Sequence, residues 1–443
     1  MFYLNKDVEL TVELLQKMIN RFNINVKPKL ERYKNYYDGI QAILGKSYSD
    51  DSKPCNKTVI NYCKNIVDSY CGYLATPGHI SYTSNENIGE IISILKYNDY
   101  QAEDSDFLLD ALIYGVGAEL MYTDISGHIR FRLINPTSCF GVYDDSLTGD
   151  LMYFVRMYKA SEWDETDTYY VDVYSSYNVK HYSMSGTNGY LKYIGEEQHY
   201  FAQCPANIFT LPDEKSIFDC IISLQDSINT LLSDEIDDYS AFCDAYLALV
   251  GADIDEEDVA MMKKNRVLVL PNEADVRWVT KNANDAQVEN IRKCIHDAIY
   301  RIAQCPDFSS ESFVGGVSSG IAIQYRLTGM ETRAGKIEAL MKKALQRRVE
   351  IICGIASLKL GEEVFRDIEI SFTRNIPEDI NSIINMINAL KGSVSDATLL
   401  SQLPFITDVS AELEALQEQK AANMELYGFN APVEEKEEED ANE

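Results

Sequence analysis

Two long stretches with apolar residues at helical spacing limit most strongly what this chain can fold into. Residues 216–246 and 284–304 each repeat an apolar residue every three or four positions, which is the pattern of an amphipathic helix. Between them the pattern changes to an acidic segment and the short apolar runs AYLALVG, RVLVL and DVRWVTK. Two long helices that bracket a small α/β unit predict a stalk with a tip.

The N-terminal half combines helices with a β region. Helical spacing recurs over residues 7–22, 28–43 and 57–74, and the polar stretch KSYSDDSKPCN separates the second helix from the third. From about residue 105 to 205, short runs of Tyr, Val, Ile and Phe alternate with turn signals, which predicts an antiparallel β meander. The turn signals are typical of hairpins and consist of Ser126-Gly127, Thr148-Gly149 and Asn188-Gly189.

The C-terminal part is predicted to be helical. A long helix begins near Gly320 and extends to about Leu360, and Gly329 and Gly335 inside it favour a kink. Three more helices are expected near residues 378–391, 395–403 and 408–426. The acidic end, EEKEEEDANE, is predicted to be disordered because so charged a segment has little apolar surface to bury.

Composition narrows the function classes. The 443 residues are 46% hydrophobic and 25% charged, which is ordinary for a folded protein of two or three modules. The sequence has no apolar run long enough to cross a membrane and does not begin with the pattern of a secretory signal. The ten cysteines form no C-x-x-C pair, and none of the five histidines lies near paired cysteines. We therefore expect reduced thiols in the cytosol, no metal site and no cofactor.

A glycine-rich segment before the long helix, ESFVGGVSSGIAIQYRLTGME, raises the question of a nucleotide site. Gly315 and Gly320 have the spacing of a phosphate-binding loop, but Ile321 and Ala322 stand where that loop requires lysine and then serine or threonine. No nucleophile–histidine pair or paired-carboxylate motif can be assigned in the sequence either. The prediction is that the chain is not an enzyme and that the segment is a loop of small residues connecting two helices.

Charge is segregated along the chain, whose net charge is −30. Residues 216–262 contain twelve acidic residues and no basic ones, whereas residues 320–360 contain eight basic residues and three acidic ones. This arrangement suits a protein that repels a polyanion in one zone and meets it in another. The acidic residues of the first long helix are Asp219, Asp226, Asp234, Glu235, Asp237 and Asp238.

The order of these elements resembles the portal proteins of tailed bacteriophages, of the siphophage type. The resemblance covers about residues 28–425, and the cysteines of the second helix and the acidic tail correspond to no functional feature of that family. We expect the tail to act only as a solubilising end. Three stretches carry the resemblance: ERYKNYYDGIQAIL followed by NKTVINYCKNIVDSYCGYLATPG, the stalk–tip–stalk arrangement of 216–305, and FVGGVSSGIAIQYRLTGMETRAGKIE, in which a Gly/Ser loop opens a long helix.

The resemblance implies an α+β portal fold with an α/β wing, a two-helix stem, a small α/β clip, a long kinked helix and a helical crown. Its boundaries in this chain would be the wing at 1–215, the first stem helix at 216–246, the clip at 247–283, the second stem helix at 284–307, the tunnel loop at 308–319, the long helix with a return to the wing at 320–375, the crown at 376–427 and the acidic tail at 428–443.

The resemblance also implies a role and partners. Twelve copies would form a ring at one capsid vertex of the virion, after assembly in the cytoplasm of a bacterial host, with no membrane contact. Double-stranded DNA would pass through the ring, whose other partners would be the terminase large subunit, the head–tail adaptor, and the major capsid and scaffolding proteins. The alternative is another capsid-vertex or scaffolding protein that has no DNA channel.

Three sets of residues are candidates for contacts in such a ring. The tunnel loop would meet the duplex and consists of Phe308, Ser309, Ser310, Glu311, Ser312, Phe313, Val314, Gly315, Gly316, Val317, Ser318 and Ser319. Contacts with phosphates and ion pairs between subunits are both open for Arg326, Arg333, Lys336, Lys342 and Lys343. In the clip, contact with a partner and a solvated or intersubunit face are both open for Lys263, Lys264, Arg266, Arg277, Trp278 and Lys281.

Overall fold

The computed structural model describes most of the chain. The described residues are 2–49, 53–159, 161, 163, 167–187, 189–242, 246–250, 275–279, 285–309, 320–355, 364–375, 380–400, 413, 415, 416 and 419. They divide into two compact units. The larger unit comprises residues 1–315 and 325–375, and the smaller unit comprises residues 316–324 and 376–443.

Helices and strands both contribute substantially, so the fold is of the α+β class. The helices are α1 (Val12–Arg21), α2 (Lys27–Tyr37), α3 (Tyr62–Leu74), α4 (Gly89–Tyr97), α5 (Tyr100–Tyr114), α6 (Ile222–Phe242), α7 (Asp285–Ala303), α8 (Gly320–Cys353), α9 (Ile380–Leu390) and α10 (Asp396–Leu400). A π-helical turn, Phe22–Val26, joins α1 to α2, and a 3-10 turn, Asp219–Ile221, leads into α6.

The strands form one large sheet and three small ones. They are β1 (Phe2–Leu4), β2 (Ile80–Thr83), β3 (Val116–Thr123), β4 (Ile129–Leu133), β5 (Cys139–Asp144), β6 (Leu151–Lys159), β7 (Thr168–Tyr174), β8 (Asn178–Ser185), β9 (Lys192–Gln198), β10 (Ala206–Thr210), β11 (Tyr246–Val250), β12 (Asp275–Val279) and β13 (Glu369–Phe372). The sheet orders are β1-β5-β6-β7-β8-β9, β10-β3-β4, β11-β12 and β13-β2.

The predicted β meander is confirmed in its hairpins but begins later than expected. Strands β3 and β4, β5 and β6, and β8 and β9 pair antiparallel across the three predicted turns. Residues 89–97 and 100–114, however, form α4 and α5. In α5, Phe107, Leu108, Ala111 and Leu112 are fully buried, and their spacing of one, three and four positions is that of a helix face.

Two N-terminal helices are shorter than predicted because their ends are fixed locally. Helix α1 begins at Val12, since the Thr11 side chain accepts a hydrogen bond from the Leu14 backbone N–H and caps the first turn. Helix α2 ends at Tyr37, two residues before Gly39, whose φ of 85° lies in the left-handed region. Helix α3 begins at Tyr62 and not at residue 57, because side chains of α6 bind the backbone of the residues before it.

Gly115 joins α5 to β3 at a position where no other residue fits. Its φ is 81°, and a Cβ atom there would lie 2.6 Å from backbone atoms of Glu214 and Lys215. Its N–H closes the last turn of α5 on the Ala111 carbonyl. A glycine is therefore required both by the left-handed conformation and by the close approach of a second segment.

The predicted stalk helices and the outer strands of the insert are confirmed as secondary structure. Helices α6 and α7 occupy the two predicted stretches, and β11 pairs antiparallel with β12 between them. The RVLVL segment lies outside the described residues. Helix α8 begins at Gly320 as predicted and ends at Cys353. Helices α9 and α10 match two predicted C-terminal helices, whereas nearly all of the third and the whole tail lie outside the described residues.

Asp110 on α5 gives a pH-dependent prediction. Burial raises its pKa to about 7, and the nearby Asp106 adds to the shift while Lys34 opposes it. The unfolded chain ionises this carboxyl group near pH 3.9, so the free energy of unfolding should fall as the pH rises from about 4 to about 7. We expect Asp110→Asn to remove this part of the pH dependence and to be the more stable protein at pH 8. Urea unfolding of both proteins at pH 5 and pH 8 measures the change in the free energy of unfolding. An equal pH dependence in the two proteins would contradict the raised pKa of Asp110.

Candidate functional site

Helix α6, which the sequence predicts to be the first stem helix, is joined to the segment that precedes α3 by a ladder of hydrogen bonds. The backbone N–H groups of residues 56, 58, 60 and 62 each donate to a side chain of α6. The bonds are Asn56 N to Asp237 Oδ1 at 2.6 Å, Thr58 N to Ser233 Oγ at 2.9 Å, Ile60 N to Asn229 Oδ1 at 3.0 Å, and Tyr62 N to Gln225 Oε1 at 3.1 Å.

The ladder depends on a match between two repeat distances. Four residues of an α-helix rise about 6 Å, and two residues of extended chain advance about 6.6 Å. The backbone N–H of every second residue in this segment therefore lies next to every fourth side chain of α6, and the match holds over four successive hydrogen bonds. This is why residues 57–61 form no helix and α3 begins only at Tyr62.

The ladder side chains are polar and buried. Gln225, Asn229 and Ser233 have no solvent exposure, and Asp237 is 7% exposed. Gln225 also donates from Nε2 to the Ile60 carbonyl at 2.6 Å, and Asn229 donates from Nδ2 to Gln41 Oε1 at 2.5 Å. Buried polar groups of this kind stabilise a fold only when they are paired, so they fix both the position and the register of α6.

Four of the six acidic stem residues accept hydrogen bonds from N-terminal side chains of the same chain. Tyr33 on α2 donates to Asp219 at 2.7 Å, and Tyr36 donates to Asp226 at 2.8 Å. Burial, together with the bond to the carboxylate, raises the pKa of each tyrosine. These two carboxylates therefore belong to the packing of α2 against the stem.

Lys46 holds the other two of these four carboxylates. Its Nζ lies 2.8 Å from Asp234 Oδ1 and 2.6 Å from Asp237 Oδ2. Burial alone would raise the pKa of Asp237, but the bonds from Lys46 and Asn56 outweigh it and keep that pKa below its usual range. Asp237 is thus both the last step of the ladder and one side of an ion pair.

The remaining acidic residues of the stem point to solvent. Glu235 and Asp238 are exposed on α6, and Asp234 keeps a side-chain exposure of 55% despite its ion pair. The acidic residues of α6 therefore lie on two surfaces. One surface packs against the N-terminal segment, and the other is exposed to solvent.

Arg333 and Lys342, two of the basic candidates on α8, have well-defined partners within the chain. Arg333 donates to the carbonyls of Ala303 at 2.9 Å and Ile217 at 2.6 Å, which ties α8 to the end of α7 and the start of the stem. Lys342 pairs with Glu338 at 2.8 Å. Arg326, Lys336 and Lys343 are exposed on the same helix.

The root of the predicted tunnel loop is held by Asp307. Its Oδ1 accepts from the Ser309 backbone N–H at 3.0 Å and from the Ser309 hydroxyl at 2.6 Å. Its Oδ2 lies 3.7 Å from Nε2 of His296 on α7. Phe308 is exposed at the same turn, whereas the loop residues 310–319 lie outside the described residues.

The clip candidates can be placed only in part. Arg277 and Trp278 lie on β12, opposite Ala248 and Leu247 of β11. Lys263, Lys264, Arg266 and Lys281 lie outside the described residues.

The sequence did not reveal the buried charge cluster around Arg348. This arginine is fully buried on α8 and donates from Nε to both carboxylate oxygens of Glu119, each at 3.0 Å. Its Nη1 donates to Asp104, which also accepts from the Tyr82 hydroxyl at 2.9 Å. Two carboxylates and one guanidinium leave a formal charge of −1, and burial raises the pKa of Asp104 although Arg348 and Tyr82 act in the opposite direction. The signal in the sequence is its position on an apolar stripe of α8, three and four residues from Ala344, Leu345, Ile351 and Ile352.

A second arginine that the sequence did not single out, Arg374, follows β13. Its guanidinium lies 2.7 Å from Glu331 Oε1 and 2.6 Å from Glu338 Oε2, both on α8. Hydrogen bonds from Arg374 lower the pKa of Glu331. Two of the three acidic residues counted on the basic helix are therefore paired with a cation inside the chain.

The described part of the chain offers neither a metal-binding cluster nor a membrane-spanning helix. Among the described residues, no three His, Cys, Asp or Glu side chains are grouped so that they could hold a metal ion. None of the described helices is long and apolar enough to cross a membrane. The nine described cysteines are free thiols.

Comparison with known proteins places the chain in a family. The family model described as phage portal protein, SPP1 Gp6-like, matches residues 17–426. A comparison with curated proteins found no match. The family match covers the N-terminal helices, the β region, both stem helices, the insert and α8. The chain therefore belongs to the phage portal proteins of the SPP1 Gp6-like family.

Proposed function

We propose that twelve copies of this chain form a ring at one vertex of a phage capsid, and that double-stranded DNA passes through the ring during packaging and ejection. The family match over residues 17–426 carries this proposal. Portal proteins are structural and not enzymatic, which agrees with the absence of a recognisable catalytic motif in the sequence. The ring would belong to the virion and would be assembled in the bacterial host.

The proposed parts of the ring follow the order of the elements. Helices α6 and α7 would form the stem, β11 and β12 would belong to the clip, and the N-terminal helices with the β region would form the wing. The segment 308–319 would be the tunnel loop, and α8 would lead back to the wing. The crown would be 376–427, followed by the acidic tail. The energy for packaging would come from a separate terminase ATPase that docks on the clip. The head–tail adaptor would later replace the terminase there. Capsid and scaffolding proteins would surround the ring.

The distribution of stem charge supports a channel that does not bind DNA tightly. The ladder and Lys46 fix one face of α6 inside the chain, whereas Glu235 and Asp238 remain exposed. Twelve copies of an exposed acidic face would form a ring of like charge, which repels phosphates and lets a duplex slide. In the tunnel loop, glycine and serine would let the backbone adapt to the moving duplex.

Native mass spectrometry combined with negative-stain class averages tests the proposal. We expect a closed ring of about twelve copies with a central hole. A chain that stays monomeric or dimeric at micromolar concentration would contradict the ring and favour a capsid-vertex or scaffolding role without a channel.

A charge reversal on the stem tests the channel more directly. Replacing Glu235 and Asp238 with lysine should raise the affinity of the ring for duplex DNA at least about tenfold at low salt, and should steepen its salt dependence, because added cations release more counterions. Fluorescence anisotropy with a short duplex measures both quantities. The matched control reverses Glu196 and Glu197, which are exposed on β9 in the proposed wing, and should leave the affinity nearly unchanged. An equal rise in both variants would contradict the placement of the stem face in the channel.

A further inference from the structure

We propose that a cavity between α8 and the wing strands is the socket for a second copy of this chain in the ring. The inference rests on the proposed function, because it requires neighbouring copies. The cavity has a volume of about 650 Å³. Its walls are residues 340–350 of α8, residues 207–210 of β10, the β5–β6 hairpin and Tyr3 of β1.

Two cations that line this cavity have no partner in the described part of the chain. Arg347 is half-buried and Lys343 is exposed, and among the described residues neither side chain forms a hydrogen bond or an ion pair. A guanidinium that is partly removed from water without an acceptor is unfavourable. The other arginines of α8 that are buried or half-buried, Arg333 and Arg348, are both bonded within the chain.

The unpaired cations lie on one stripe of the helix. At about 100° per residue, Lys336, Lys343 and Arg347 fall within about 40° of one another, and they extend over about 16 Å of α8. Lys336 is exposed beyond the edge of the cavity. The stripe therefore continues from open surface into a walled recess, which is the geometry of an interface with a protruding partner.

The cavity also contains two carboxylates that decide what kind of partner fits. Asp150 in the β5–β6 hairpin and Glu350 on α8 line it, and within the described residues neither side chain has an ion-pair partner. A polyanion would meet these carboxylates as well as the cations and would be repelled by them. A protein surface can present both signs of charge, and in a closed ring every copy would offer the same surface to the socket of the next.

Zero-length cross-linking of lysine to carboxylate tests the socket. Rings assembled from an equal mixture of light and heavy isotope-labelled chains are treated with a carbodiimide, and cross-linked peptides of Lys343 are identified by mass spectrometry. We expect links between a light and a heavy peptide, which can form only between two copies. If Lys343 of an intact ring forms links only within one copy, or none, the inference is wrong.

A charge reversal at Arg347 provides an independent test. Arg347→Glu should weaken ring assembly at least about tenfold by native mass spectrometry, and Arg347→Met should weaken it less while its thermal midpoint confirms that the chain is folded. Lys17→Glu is the matched control, because Lys17 is exposed in the middle of α1 and makes the same change of charge. A wild-type chain that forms no ring contradicts the proposed function itself. A ring that assembles normally from the Arg347→Glu chain, with or without weaker DNA binding, contradicts the socket alone.

Discussion

Replacing Arg348 with methionine is expected to lower the free energy of unfolding by about 3–5 kcal/mol, since it leaves two buried carboxylates without a counter-charge. Arg348, Asp104 and Glu119 are all fully buried. Methionine fills a similar volume, so the loss measures the unpaired charges more than a cavity. Urea unfolding at pH 7 is the measurement, with Lys336→Met as the control. Lys336 is exposed on the same helix, and its replacement should change stability by less than about 0.5 kcal/mol.

Two further measurements separate charge from packing in this cluster. Arg348→Met combined with Asp104→Asn and Glu119→Gln should recover part of the lost stability, because no ionised group then remains buried. In the single variant, the folded state should bind protons more tightly than the unfolded chain, so its deficit should shrink as the pH falls from 8 to 5. A deficit that is the same at both pH values, and is not reduced in the triple variant, would mean that packing and not charge causes it.

The cluster also explains how α8 is held against α5, β2 and β3. Asp104 comes from α5, Glu119 from β3 and Tyr82 from β2, and all three meet one arginine of α8. The guanidinium centre lies 4.5 Å from the centre of the Phe131 ring on β4, so an aromatic face covers the charge. Four elements are thereby fixed by one side chain, which accounts for the large expected effect of its removal.

Local patterns predicted much of this fold. The apolar stripes predicted α6 and α7, and the turn signals Ser126-Gly127 and Thr148-Gly149 predicted two hairpins, because each of these signals lies within a few residues of the structure that it specifies. The requirement for glycine at position 115 could not be predicted in this way, since it arises from the close approach of the backbone of Glu214 and Lys215. Local spacing carries no information about a segment that approaches from a distant part of the chain.

The partners of the charged residues could not be predicted for the same reason. Asp219 and Asp226 read as an acidic helix surface, yet they accept hydrogen bonds from tyrosines 186 and 190 residues earlier. Arg348 counted as one basic residue among eight, although its carboxylates lie 244 and 229 residues away. One signal was present and not used. Gln225, Asn229, Ser233 and Asp237 are uncharged or acidic polar residues at a strict spacing of four along an otherwise apolar helix face.

Asn229→Leu is expected to destabilise the protein by about 2–4 kcal/mol, because it leaves one partly buried and one buried polar group unpaired at about 1–3 kcal/mol each. These are the Ile60 N–H, which donates to Asn229 Oδ1, and Gln41 Oε1, which accepts from Asn229 Nδ2. Leucine has the branching of asparagine but a larger volume, so the loss of stability combines broken hydrogen bonds with crowding, and amide hydrogen exchange separates the two. Thr230→Ala, at the exposed neighbouring position, should be nearly neutral.

Amide hydrogen exchange distinguishes a broken ladder from a general loss of stability. If the ladder is cooperative, Asn229→Leu should remove protection at Thr58, Ile60 and Tyr62 together, while amides in the centre of α5 keep protection set by global unfolding. Asn229→Asp retains the acceptor for Ile60 but loses the donor to Gln41, and so it should weaken protection less. Unchanged protection at residues 56–62 in the leucine variant would show that the extended segment does not depend on α6. The stem helix could then move independently of the N-terminal segment, whereas an intact ladder requires the two to move as one body.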